Sequence, residues 1–125
     1  TRYWRDWSSD VCSSDLDCNL GLVPLEISSI TNYALPLKLL EYLSLGMPSL
    51  TVRNAAIGYY FGEDDCLFYE PSEPESLRAV LEQLIENPNL LCHYQQRAIV
   101  LREKFLWSHE KQKYISILNR LTNST

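Results

Sequence analysis

What the sequence lacks already excludes several classes of protein. It has no stretch of about 18 uncharged apolar residues, so we expect no transmembrane helix. It has no long basic run, and its 11 Lys and Arg against 16 Asp and Glu give a net charge of −5, so nucleic acid is not an expected partner. It also begins without a recognisable signal peptide. The expected location is therefore cytoplasmic, with a peripheral position at the membrane left open for a full-length protein.

Closely spaced metal ligands are missing as well. The four cysteines, at positions 12, 18, 66 and 92, form no Cys-x-x-Cys pair, and neither His93 nor His109 lies at metal-ligand spacing from them. We therefore expect no metal and no cofactor, and we predict reduced, mostly buried thiols. The acidic run Glu63-Asp64-Asp65 is predicted to be a solvated turn.

The first 16 residues differ from the rest of the chain. They are polar, rich in Ser and Asp, and match neither a helical nor a strand period. Asp6 to Leu16, DWSSDVCSSDL, resembles the translation of a common sequencing adapter, and a natural disordered arm is the alternative. Residues 1–16 are therefore left out of the fold prediction as a non-native or disordered head. Because the chain starts at Thr1 and not at a methionine, we expect a fragment of a longer protein.

Short apolar runs alternate with helical patterns from residue 17 onward. Strands are predicted over residues 18–25, 48–52 and 66–69. A helix is predicted from Pro36 to about residue 45, because proline suits a first helical turn and Gly46 caps the end. A helical turn is predicted over residues 55–61. Three helices follow, the first with Ser72 as the cap of a capping-box pattern, the second beginning at Asn87-Pro88 and the third capped by Ser108. This order predicts an α/β fold, an incomplete Rossmann-like parallel sheet with helices on both faces.

Each of the last three predicted helices carries an apolar stripe at helical spacing. The stripes consist of Leu77, Val80, Leu81, Leu84 and Ile85, then of Leu91, Tyr94, Ala98, Leu101 and Phe105, and finally of Tyr114, Ile117, Leu118 and Leu121. A stripe of this kind predicts the helix face that packs on a core. We expect the face of the last helix to be buried.

The start of the helix at Pro36 is the best candidate for a binding site. In parallel α/β folds, ligands bind beyond the carboxyl ends of the strands, where this helix should begin. Pro36 has no N–H, so the amides of Leu37 and Lys38 are the first that could receive a phosphate, aided by the helix dipole. Glu41, one turn later, could accept hydrogen bonds from sugar hydroxyls. The alternative is a structural role, in which the amides meet water and Glu41 pairs with Lys38 on the surface.

Several motifs occur together in a characteristic order. Residues 36–48 read P-x-K-x-x-E-Y-L-x-x-G-x-P and follow the strand LGLVPL at 20–25. FYEPSEP at 68–74 leads into a helix, and LWSHE at 106–110 precedes the last one. In this order and spacing, residues 17 to about 121 resemble the C-terminal, donor-binding half of GT-B fold glycosyltransferases of family 4, often called the group 1 family. The resemblance extends over most of the chain that follows the adapter-like segment.

This resemblance implies a hexosyltransferase that binds a nucleotide-diphosphate sugar and moves the sugar, with retained configuration, to a hydroxyl of a glycan or lipid. Glu41 matches the second glutamate of the family's E-x7-E motif, which holds the ribose. The amides of Leu37 and Lys38 match the helix start that receives the diphosphate, and transfer of this kind uses no metal. Tyr33 occupies the place of the first glutamate and supplies no carboxylate, which leaves the retaining chemistry and the donor sugar open. Residues 17–125 would then form a partial C-terminal nucleotide-sugar-binding domain, inactive without an acceptor-binding N-terminal domain.

Two other functions remain open at this point. Sugar-nucleotide epimerases share the two-domain architecture, but they need acid and base side chains across the cleft. A GT-B-like module that has lost donor use is the other alternative, and Tyr33 is the residue in its favour. Arg53, which follows the second predicted strand, is interpreted as an ordinary strand-end charge.

Overall fold

A computed structural model describes residues 18–123, and the predicted head with its adapter-like segment at 6–16 lies outside the described residues. Within this range the chain forms three strands, β1 (Gly21–Val23), β2 (Ser49–Val52) and β3 (Leu67–Tyr69). The helices are α1 (Leu37–Ser44), α2 (Ala55–Tyr60), α3 (Pro74–Glu86), α4 (Pro88–Phe105) and α5 (Trp107–Thr122). A 3-10 helix, Thr31–Tyr33, lies between β1 and α1, in the segment of residues 24–36 that we call the β1–α1 loop. The predicted order of strands and helices is confirmed.

The sheet of the described chain is parallel throughout, in the order β1-β2-β3. Leu22 lies beside Leu50, which lies beside Leu67, and the next row contains Val23, Thr51 and Phe68. Because side chains alternate along a strand, these two rows point to opposite faces of the sheet. The Thr51 hydroxyl donates to the carbonyl oxygen of Val23 over 2.9 Å, which ties the carboxyl ends of β1 and β2 together.

Helices cover both faces of this sheet, as the sequence predicts. On one face α1, α2 and the later turns of α4 pack together, and the buried residues are Val23, Leu39, Leu43, Ile57, Phe61, Cys66, Ala98 and Leu101. On the other face α3 and the first turns of α4 cover a smaller cluster of Leu50, Leu67 and Leu84. Since α4 contributes to both clusters, it joins the two layers and packs along α1. The structure is therefore an α/β fold of the Rossmann-like kind.

The predicted bounds of α1 are correct to within a residue, but the predicted serine caps of α3 and α5 are wrong. Gly46 has a φ of +71°, the left-handed conformation expected after the last turn of α1. Ser72 does not cap α3: it lies in a turn with a φ of +62°, and Glu73 is the residue before the helix. Ser108 does not cap α5 either, because the single extended residue Leu106 separates α4 from α5, and the new helix starts at once.

The face of α5 that the sequence predicts to be buried is exposed in the described chain. Tyr114, Ile117, Leu118 and Leu121 have between 42% and 65% of their surface accessible. In α3, Leu81 and Ile85 are also exposed. The prediction fails for α5 because, among the elements of residues 18–123, this helix packs mainly against α4, and none of its residues is buried. None of the helices in this range is both long enough and apolar enough to cross a membrane.

The prediction of mostly buried thiols is also wrong. Cys66, which directly precedes β3, is buried, whereas Cys18 and Cys92 are exposed. Burial raises the pKa of the Cys66 thiol to about 12, and the neighbouring Asp65 carboxylate adds to the effect. The fourth cysteine, at position 12, lies outside the described residues.

Candidate functional site

The candidate site lies at the edge of the sheet where the three described strands end. The β1–α1 loop leaves this edge after Val23 and returns to it at the start of α1. Pro36 precedes the helix in an extended conformation, with φ −67° and ψ 129°, and its side chain makes no capping hydrogen bond. Leu37 and Lys38 therefore lie in the first turn of α1 at the carboxyl edge of the sheet, where anions bind most favourably.

Glu41 lies one turn into α1 and forms an ion pair with Lys38. The Lys38 Nζ is 2.8 Å from the Glu41 Oε2, and the two side chains are 48% and 38% exposed. This Oε2 atom is itself buried and has no partner with hydrogen-bond geometry, so Lys38 compensates its charge without a directed bond. The surface pair that the sequence leaves open as the structural alternative is thus present. A ligand that reaches Glu41 has to share this carboxylate with Lys38.

The β1–α1 loop has a defined local structure ahead of the helix. The backbone N–H of Ser28 donates to the Thr31 hydroxyl over 2.8 Å, and the N–H of Thr31 donates to the Ser28 hydroxyl over 3.1 Å. The same Thr31 hydroxyl donates to the carbonyl oxygen of Glu26. These bonds form a compact turn that leads into the 3-10 helix. Tyr33, at the end of that helix, is 75% exposed, so its ring is accessible from solvent.

Asn54 joins the β1–α1 loop to the turn between β2 and α2. Only 4% of its surface is accessible. Its Oδ1 accepts from the Ile57 N–H over 2.7 Å, and its Nδ2 donates to the carbonyl oxygens of Thr31 and Ala34 over 2.9 and 2.8 Å. Sequence reasoning missed this residue. An asparagine between an apolar strand and a helical turn is a helix-cap signal, but that signal does not reveal the bonds to the loop.

Arg53 also follows β2, and its charge is engaged by the protein itself. Its guanidinium carbon lies 4.3 Å from the centre of the Phe68 ring, a cation–π contact. Its Nη2 is 2.7 Å from the Glu63 Oε1, which lies in the following turn. The interpretation of Arg53 as a strand-end charge is confirmed, and the structure adds the partners that hold it.

The acidic run 63–65 is less solvated than its composition predicts. Glu63 is well exposed, but only 14% of the Asp65 side chain is accessible, and it pairs with Arg97 of α4. Burial by itself would raise the pKa of Asp65, but the N–H of Gly62, which donates over 2.9 Å, and the Arg97 guanidinium outweigh it and lower that pKa. The same contact raises the pKa of Arg97. No group of side chains in the described part of the chain is arranged to hold a metal ion.

A groove of about 560 Å³ lies beside α1. It is lined by Leu35, Leu40, Tyr60, Lys104, Phe105, Glu110 and Lys113. Leu37, Lys38 and Glu41 are not part of its lining, so the predicted site residues and this groove are separate features.

No family model, curated protein or solved structure matches the chain. The structure itself defines the fold class, which is a parallel α/β fold of the Rossmann-like kind. Within that class, the start of α1, which the side chain of Pro36 does not cap, is the feature whose chemistry is suited to a ligand.

Proposed function

We propose that this chain is the donor-binding half of a GT-B glycosyltransferase, which moves a sugar from a nucleotide-diphosphate sugar to a hydroxyl acceptor. The observation that carries the proposal is the position of α1. Its first turn lies at the carboxyl edge of a parallel sheet, preceded by Pro36, whose side chain contributes no cap, and Glu41 follows one turn later. The P-x-K-x-x-E-Y-L-x-x-G-x-P pattern of residues 36–48 supports the same assignment.

The start of α1 has the chemistry that a diphosphate needs. The amides of Leu37 and Lys38 would donate to its oxygens, and the positive end of the helix dipole would attract its charge. A carboxylate close by would repel a phosphate. Because Lys38 pairs with Glu41 at 2.8 Å, the two side chains together bring no net charge to this turn. The attraction for a diphosphate would therefore come from the backbone.

Glu41 has the chemistry that a ribose needs. A carboxylate accepts hydrogen bonds from neighbouring hydroxyls and discriminates strongly against analogues that lack them. In this proposal the acceptor, a glycan or lipid, binds a separate N-terminal domain, so residues 17–125 alone would bind the donor without transferring its sugar. The leaving diphosphate is stabilised by amides and basic groups, which is electrostatic catalysis without a metal.

One observation favours a second candidate, a GT-B-like module that binds without catalysing transfer. Tyr33 stands where the family's motif has its first glutamate, and 75% of its surface is exposed. A tyrosine has no carboxylate to place near a donor sugar.

The proposal is tested by calorimetric titration with UDP, GDP and ADP, beside pyrophosphate as a ligand that lacks a ribose. We expect saturable binding of at least one nucleoside diphosphate. Glu41→Gln should weaken that binding about tenfold, since hydrogen bonds to a charged acceptor are the stronger kind. It should leave pyrophosphate binding unchanged or tighter, because a negative charge is removed.

Glu82→Gln is the matched control for this experiment. Glu82 is also a partly exposed helical glutamate in a surface ion pair, with its Oε1 2.8 Å from the Arg78 Nε, but it lies on α3. This variant should bind every ligand as the parent chain does. Absence of nucleoside diphosphate binding, or an equal effect of both substitutions, would refute the proposal.

A further inference from the structure

Asn54 uses its whole carboxamide to join two segments that are far apart in the sequence. Its Oδ1 caps α2 through the Ile57 N–H, and both hydrogens of its Nδ2 go to carbonyl oxygens of the β1–α1 loop, at Thr31 and Ala34. No other side chain of similar length supplies both functions. Aspartate and serine cap helices well, but aspartate has no donor and serine has one.

Leu25 and Leu35, near the two ends of the β1–α1 loop, pack against the hydrophobic core, and Asn54 holds the part of the loop that lies between them. The 3-10 helix at Thr31–Tyr33 buries none of its residues, and Ile30 and Tyr33 are highly exposed. The Ser28–Thr31 bonds are internal to the loop and do not attach it to the sheet. A further polar link within residues 18–123 runs from the Ala55 N–H to the Asn32 Oδ1 over 3.1 Å, and it begins at the residue next to Asn54.

We infer that Asn54 is the positioning residue of the candidate site: it holds the β1–α1 loop in place next to the first turn of α1. Ala34 is two residues from Pro36, so a bond to its carbonyl oxygen acts almost directly on the start of the helix. The inference rests on the proposed function for the identity of the ligand only. The attachment of the loop does not depend on that identity.

Amide hydrogen exchange of the full chain, measured on two variants, distinguishes the cap of α2 from the attachment of the loop. Asn54→Ser retains a helix cap and loses the two bonds to the loop, whereas Asn54→Ala loses both. In Asn54→Ser, exchange at the amides of Tyr33 and Ala34 should accelerate about tenfold, as expected when two hydrogen bonds are removed from a local opening. The amides of Ile57 and Gly58 in α2 should keep their protection. In Asn54→Ala both groups of amides should exchange faster.

A second measurement connects the loop to the ligand. If the parent chain binds a nucleoside diphosphate, Asn54→Ser should weaken that binding severalfold. Unchanged loop exchange in Asn54→Ser, or equal acceleration throughout the chain, would overturn the positioning role. Unchanged affinity in a variant whose loop has loosened would overturn it too. If the parent binds no nucleoside diphosphate, the proposed function fails, and the exchange experiment still decides the role of Asn54.

Discussion

Replacing Gly21 with alanine tests how closely α1 must pack on β1. A Cβ built at Gly21 would lie 2.3 Å from the Tyr42 Cδ2 and 2.6 Å from its Cγ, far inside van der Waals contact. The Cγ atom lies next to the backbone of α1, so the ring cannot avoid the new methyl group by a small rotation. Either the ring leaves its place or α1 moves away from the strand.

The size of the effect follows from this clash. Overpacking a core contact costs about 1–3 kcal/mol. Alanine also restricts the unfolded chain, which returns about 0.4–1 kcal/mol. We therefore expect a net destabilisation of about 1–2 kcal/mol, which lowers the urea midpoint by about 1 M for a domain of this size.

Urea unfolding followed by far-ultraviolet circular dichroism measures this difference. Gly62→Ala is the matched control, because the nearest heavy atom to its new Cβ is the Asp65 Oδ2 at 3.6 Å, an ordinary contact. That variant should lie within about 0.5 kcal/mol of the parent. Adding Tyr42→Leu should relieve part of the cost of Gly21→Ala, since the two sites are in direct contact. If Gly21→Ala is no worse than Gly62→Ala, the close packing of α1 on β1 is refuted.

Two further predictions concern the turn before β3. Asp65→Asn should destabilise the fold by about 1–3 kcal/mol at pH 7, because it leaves the Arg97 guanidinium without its carboxylate. The folded pKa of Asp65 is lowered, so its contribution is present above the unfolded carboxyl pKa of about 3.9 and is lost as the pH falls further. Urea unfolding at pH 7, 5 and 3 should show the two chains converging at the acidic end, and a pH-independent gap would contradict this. Cys66, with its pKa of about 12, should resist iodoacetamide at pH 8 in the folded chain, while the exposed Cys92 reacts. Peptide mass spectrometry measures the labelling of each cysteine, and equal labelling of the two would contradict this prediction.

Local sequence signals predicted the elements of this fold well where the deciding residues are neighbours. Pro36 and Gly46 lie at the two ends of α1: Pro36 is the extended residue directly before the first turn, and Gly46 takes up the left-handed conformation after the last turn. The same reasoning failed at Ser72, which lies in a turn before α3, and at Ser108, which lies inside α5. A cap preference is weak, about 1 kcal/mol, and the geometry of the connecting turn overrides it.

The sequence predicted where the residues of the candidate site lie on α1, but only part of their contacts. The sequence indicates a helix start at Leu37 with Glu41 one turn later, and the structure has both. The ion pair between Lys38 and Glu41 was foreseen as one of two possibilities, because residues three apart on a helix are neighbours. The role of these residues in binding a donor stays a prediction.

The sequence by itself determined the alternation of strands and helices, since periodicity and turn residues act over a few positions. Only the tertiary structure decided which distant groups meet. Asn54 bonds to residues 20 and 23 positions away, and Asp65 pairs with a residue 32 positions away. It also decided that the apolar face of α5 is exposed within residues 18–123. An amphipathic pattern specifies that a face favours burial, but the partner that could bury it is set by the packing of other elements.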